Sequence, residues 1–335
     1  MTTAIVERIK WLDTSRGIAM LMVIYSHLDY CDQGVMRFFA PVFLTTFFFV
    51  SGYLFKEGCS FSKVLEQRTR TLLIPFLLLG ALQIAMSQTF SFNEHGSLAY
   101  DIRGLLFQYK ENAILWFFAA LYVYSLIFYW IERGCKSDRS LLIVSCLVFL
   151  FSCAYRYWLH GPGLPWHLLG FGWGCFYMGI GKWYRHNESR VDALMCKGYC
   201  LPLLVVYLLS VWFLHKYISF FGSEYIIDAI FVTFVGLTFI IYFCKYFMNR
   251  SRLILFVGAN SMLYFAGHGK VFSLLQVILY KVSMGGVEQL NRVETQVIAL
   301  IIVLLDALIL ILPILFVNRF IPWLIGRGYK LWQTK

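Results

Sequence analysis

The stretch LDTSRGIAMLMVIYSHLDY, Leu12–Tyr30, decides the fold. It is apolar over most of its length, yet it carries an arginine, Arg16, and a histidine, His27. An α-helix rises about 1.5 Å per residue, and a bilayer core takes roughly 20 apolar residues to cross. The pattern therefore predicts a membrane-spanning helix over 12–30. Eleven steps of about 100° make three turns plus roughly 20°, so Arg16 and His27 share one face, about 16 Å apart along the axis. Ionisable groups inside a bilayer are costly and by default mark a functional path. Taken singly, Arg16 also reads as an interfacial anchor and His27 as a helix–helix hydrogen bond. As a pair on one face they point to chemistry.

The rest of the chain has the same character. Of 335 residues, 60% are hydrophobic and only 14% are charged, with 32 Phe, 21 Tyr and 10 Trp. A soluble domain carries about 25% charged residues, so an all-α integral membrane protein is expected, built as a polytopic bundle. Ten apolar runs are long enough to span: 12–30, 37–55, 71–88, 113–131, 140–159, 165–183, 200–218, 225–246, 253–281 and 295–318. The longest loop, 89–112, contains a short interfacial helix over 98–109. The ninth run is long enough to be tilted or broken, with Gly267 and Gly269 flanking His268. No linker or second soluble region interrupts the pattern, which predicts one transmembrane domain over 1–335.

The net charge of +11 is uneven along the chain. With the N-terminus inside, the inner loops and tails hold 21 Lys and Arg and the outer loops hold 7, while Lys270 falls within span nine. A bias that alternates from loop to loop sets the orientation, with both termini cytoplasmic. Arg16 then lies at the inner end of its helix and His27 toward the outer side. The excess positive charge reports cytoplasmic loops and not a nucleic-acid partner. The first apolar run contains Arg16 and no small-residue cleavage site, so no cleavable signal peptide is expected. Nine scattered cysteines form no C-x-x-C pair and read as reduced packing residues. No metal-ligand spacing is present.

An imidazole can take a proton from a hydroxyl and return it later. A guanidinium on the cytoplasmic side presents a planar fork suited to phosphate. The spacing between them fits a long donor with phosphates inside and a reactive end deep in the membrane, which is the shape of coenzyme A and its pantetheine arm. Proton-coupled transporters also place His and Arg on one helix. Asp13, three residues before Arg16, either pairs with it on one face or caps the helix start. Ser261 and His268 are seven residues apart, about 20° short of two turns, and face one way. His268 is read as an acceptor or proton-transfer residue, or as a structural histidine. Asp306 is a lone carboxylate in the last run, costly enough to suggest a partner such as His268, Lys270 or His27. Asn112 and Trp116 fit the edge of an acceptor pocket, or belong to the aromatic belt of the membrane surface.

Four further stretches accompany the first motif: FFFVSGYLF at 47–55, RTRTLLIPF at 68–76, LWFFAAL at 115–121 and GANSMLYFAGH at 258–268. In this order and spacing the chain, from about residue 10 to 320, resembles the acyltransferase 3 family of integral membrane O-acyltransferases. By length and opening it is most similar to the fucose 4-O-acetylase-related subgroup. The resemblance implies that His27 is the catalytic histidine, and that Arg16 with Arg68 and Arg70 binds the acyl donor. The family often places two residues between the latter arginines, whereas here only Thr69 intervenes, so either could do the work.

The implied function is transfer of an acyl group, usually acetyl, from cytoplasmic acetyl-CoA to a hydroxyl of a sugar or glycan at the outer side of a bacterial cytoplasmic membrane. His27 would act either as general base or through a transient acyl-histidine. Acetyl-CoA is then a co-substrate and no tightly bound cofactor is implied; the partners are donor, acceptor and membrane lipid. The other reading is a proton-coupled transporter or flippase of a glycan or organic anion. Against it, the two halves show no internal repeat.

Overall fold

The structure is a computed structural model and describes residues 9–28, 30–89, 97–108, 115–158, 164–214, 226–283 and 291–327. Among these residues every regular element is helical and there is no strand. The helices divide between two compact units, Met1–Val50 with Ser189–Ile311, and Ser51–Glu188 with Leu312–Lys335.

In the first unit, α1 (Lys10–Ser26), α2 (Gln33–Phe39) and most of α3 (Phe43–Tyr53) are joined by α10 (Cys200–Leu214), α11 (Ile226–Phe243), α12 (Arg252–Ala259), α13 (Ser261–Ser283) and α14 (Arg292–Ile309). The second unit contains α4 (Phe61–Arg68), α5 (Ile74–Thr89), α6 (Leu98–Phe107), α7 (Trp116–Gly134), α8 (Asp138–Cys153), most of α9 (Phe171–Leu194) and nearly all of α15 (Ile311–Phe320). Among the described residues each of the ten apolar runs is largely helical, and the short helix expected over 98–109 is α6. Six stretches are long and apolar enough to cross a membrane: Gln33–Tyr53, Phe61–Thr89, Asp138–Arg156, Lys197–Leu214, Asp228–Met248 and Arg292–Phe320. α1 has 17 residues, with Lys10, Asp13 and Arg16 inside it, and α9 carries a cluster of charges past Gly181.

Breaks in the helices have local causes. α12 and α13 are separated at Asn260, whose φ of −121° leaves the helical region and whose Nδ2 donates to the Phe256 carbonyl at 2.9 Å. The ninth run is thus broken, but ahead of the glycines around His268. α14 ends four residues before Pro313, whose ring would clash with the carbonyl of Ile309. Pro75 acts in the same way on Thr71, within a wide π turn, Thr69–Leu73, that joins α4 to α5. Starts are capped by Asp32 on α2, by Ser251 on α12, and by Asn291 with Glu294 in a capping box on α14.

Helix contact in an apolar medium depends on close approach of backbones. A Cβ on Gly17 would lie 2.2 Å from the Ile254 carbonyl oxygen, and one on Gly258 would lie 1.6 Å from that of Asp13. α1 and α12 therefore touch backbone to backbone. Elsewhere in this unit, Val42, Tyr207, Val211, Val232 and Ile240 form a buried cluster, with Gly236 packed against Tyr207 and Val42. In the second unit, Gly52 allows the same approach to Met178.

Candidate functional site

α1 runs without interruption from Lys10 to Ser26, so the rise from Arg16 to His27 is that of a regular helix. One correction to the sequence reading concerns its end. The helix stops at Ser26, and His27 is its C-cap, with φ −96° and ψ 1°. The side chain is exposed, whereas Val23, Ile24 and Tyr25 just before it are buried.

The His27 ring is anchored at one nitrogen. Nδ1 lies 2.8 Å from the Val23 carbonyl oxygen and 3.3 Å from Ser26 Oγ. A carbonyl only accepts, so Nδ1 carries the proton and Nε2 presents its lone pair. Nε2 makes no hydrogen bond among the described residues. α13 brings His268 against this ring, with centroids 4.8 Å apart and planes at 69°. His268 is buried and repeats the pattern, its Nδ1 3.1 Å from the Tyr264 carbonyl. Phe265 closes the group, 6.5 Å from His27 and 5.8 Å from His268.

At the other end of α1, Asp13 and Arg16 form an ion pair one turn apart, with Asp13 buried and Arg16 a quarter exposed. The N-cap position of α1 is Ile9, and Asp13 is the acidic residue of its first turn. Trp11, beside them, lies under Lys245, whose Nζ is 4.6 Å from the indole centroid and 2.7 Å from Asp192.

Ser261 opens α13, seven residues before His268. Asp306 is fully buried on α14, and neither carboxylate oxygen has a hydrogen-bond partner among the described residues. The expected pairing with His268, Lys270 or His27 is thus not formed. Tyr264, one turn before His268, instead donates to the Ala307 carbonyl at 2.8 Å.

Arg68, Arg70 and Trp116 belong to the second unit. Arg70 pairs with Glu66 at 3.4 Å and is over one-third exposed. Arg68 is half-buried and lies 5.7 Å from the centre of the Phe55 ring. It makes no ion pair or hydrogen bond among the described residues. Lys182, buried, is also 5.7 Å from Phe55, and is neutralised by Glu132 at 2.6 Å and Glu57 at 3.4 Å. Glu57 further contacts His186, which is 2.8 Å from Asp138. Trp116 stacks obliquely on His167 at 4.6 Å. Trp166 and His167 both hold left-handed backbone conformations, φ 57° and 52°, in a short 3-10 turn. Asn112 lies outside the described residues.

Sequence reasoning did not find the ties that fix the end of α1. Tyr25 donates to Gln296 Oε1, while Gln296 Nε2 reaches the Tyr30 carbonyl at 3.3 Å. Asp32 takes both Arg292 Nε and, at 2.9 Å, its Nη2. These partners are some 260 residues apart, and only the capping signal at Asp32 was local.

The family described as an acyltransferase domain matches residues 9–318, nearly the whole chain. The chain belongs to the acyltransferase 3 family. No curated protein and no solved structure matches it. It is thus an acyltransferase with membrane-spanning helices.

Proposed function

We propose that this acyltransferase moves an acetyl group from cytoplasmic acetyl-CoA to a hydroxyl of a sugar or glycan at or near the outer side of a bacterial cytoplasmic membrane. The observation that carries the reading is the anchored tautomer of His27, whose Nδ1 is committed to Val23 and whose Nε2 is left to accept. A sugar acceptor follows the likeness of the opening stretch to the fucose 4-O-acetylase-related proteins. The ten helical segments are taken as ten spans with both termini inside, in keeping with 21 inner against 7 outer Lys and Arg.

In the reaction, the acceptor oxygen attacks the thioester carbonyl carbon while its proton passes to His27 Nε2. The carbon–sulfur bond then breaks, and that proton goes to the departing thiolate. The products are an O-acetyl ester and free coenzyme A. Arg16, oriented by Asp13, and Arg68 and Arg70 are assigned to the donor. Arg68 is favoured over Arg70 because it has no counter-ion of its own among the described residues.

The test uses full-length protein in lipid nanodiscs, radiolabelled acetyl-CoA and a set of glycans. His27→Ala is expected to lower transfer by about 10²–10⁴-fold, the usual contribution of a general base, without lowering the melting temperature. Undiminished transfer overturns the role of His27. Label carried by wild-type protein, absent from His27→Ala and discharged by neutral hydroxylamine, marks the acyl-histidine route. Solute flux without acyl transfer favours a transporter.

A further inference from the structure

The end of α1 opens onto a cleft of about 620 Å³ within the first unit, lined by Tyr30, Asp32, Gln33, Arg37, Arg292 and Gln296 among others. Tyr30, on the wall of the cleft, connects it to the segments that carry the histidine pair. Tyr30 follows His27 by three residues and packs 6.3 Å from the ring of Phe272. Phe272 lies four residues beyond His268 on α13, a rise of about 6 Å. The pairs His27–His268 and Tyr30–Phe272 are thus successive layers between the same two segments.

The walls of this cleft are pre-ordered. Gln296 is held by Tyr25, by the Tyr30 carbonyl and, at 3.4 Å, by the Asp32 amide. Arg292 is neutralised by Asp32. Gly34 leaves room for that pair, since a Cβ there would be 2.7 Å from Asp32 Oδ1. Arg37 differs from these neighbours: it is exposed and has no ion pair or hydrogen bond among the described residues. Of the 7 Lys and Arg assigned to the outer side, two, Arg37 and Arg292, meet here. An unpaired guanidinium beside amide and hydroxyl groups suits an anionic, polyhydroxylated molecule, because its fork matches the paired oxygens of a carboxylate or phosphate.

We infer that this cleft is the acceptor site and that it selects a sugar bearing a carboxylate or a phosphate, with Arg37 taking the anionic group. The inference rests on the acyl-transfer reading for the word acceptor, but the binding it describes is measurable without the donor. Equilibrium dialysis of the full chain in nanodiscs would compare methyl glucoside, methyl glucuronide and glucose 1-phosphate. The charged sugars bind about tenfold more tightly than the neutral one, the scale of one partly exposed charge-assisted hydrogen-bond pair. Arg37→Gln removes that difference and leaves the neutral sugar unchanged, while Arg37→Lys restores part of it. A preference for only one of the two charged sugars identifies the source of the anion. Equal binding of all three, or a preference that survives Arg37→Gln, overturns the inference. Charge-selective binding with no acetyl transfer to any bound sugar refutes the transferase reading and leaves the cleft assignment standing. Transfer that is blind to charge does the opposite.

Discussion

The imidazole of His268 stands edge-on to that of His27, 4.8 Å away, and each ring gives its Nδ1 to a carbonyl one turn behind it. Two imidazoles of the same tautomer thus meet at one end of α1, one exposed and the other buried. The exposed ring is the one an acceptor hydroxyl can reach.

His268→Phe keeps a ring against His27 and removes both nitrogens. If His268 only positions His27, this variant loses no more than about tenfold in kcat/KM, while His27→Gln loses about 10²–10⁴-fold. Equal losses would mean that the proton moves through both rings. Paired measurements of kcat/KM decide the matter.

The two arginines of the RTR stretch separate in the same way. Arg68→Gln is expected to raise the KM for acetyl-CoA about tenfold, because it removes a cation with no counter-ion among the described residues. Arg70→Gln, which loses an exposed pair with Glu66, changes it by about twofold or less. The reverse order would assign the donor to Arg70.

Backbone contact between α1 and α12 makes Gly258 irreplaceable. A Cβ there falls 1.6 Å from the Asp13 carbonyl oxygen, so Gly258→Ala must force the helices apart, at a cost of about 1–3 kcal/mol or more. Gly134, at the end of α7, has no atom within 4 Å of such a Cβ, and Gly134→Ala leaves stability unchanged or adds up to about 1 kcal/mol. Thermal unfolding of the two variants in the same detergent gives the comparison.

His186 sets a pH window. Burial pulls its imidazolium down, but Asp138 and Glu57 outweigh burial and raise it above the usual 6.5. For Glu57, burial pushes upward and is outweighed by Lys182 and His186, so its carboxyl titrates below 4.5. A raised histidine contributes stability that is full below 6.5 and lost as pH rises through the higher folded value; a lowered carboxylate contributes above 4.5 and is lost on acidification. The cluster is therefore complete between about pH 4.5 and 6.5 and loosens on either side. Melting temperatures across this range should fall on the alkaline side in the wild type, and His186→Gln should flatten that limb.

The helices were legible because apolar runs and short polar joints leave little else to form in a bilayer. The Arg16–His27 spacing was legible because α1 is regular between them. Ends and breaks were harder. The sequence places His27 within the helix because nothing in YSHLDY signals a stop at Ser26, and the break at Asn260 depends on a side chain turning back to Phe256. The long-range partners were out of reach altogether. Asp32 with Arg292, and Phe55 with both Arg68 and Lys182, are juxtapositions that no local spacing encodes.

The π turn at Thr69–Leu73 has a consequence for the length of the chain. Such a turn closes from i to i+5 and so holds one residue more than an α turn. Deleting a residue within it lets the segment close as ordinary helix. The same deletion at Leu78 would swing every later side chain of α5 by about 100°. Next to Arg68, then, the protein keeps a place where a residue can be lost without misaligning the helix that follows.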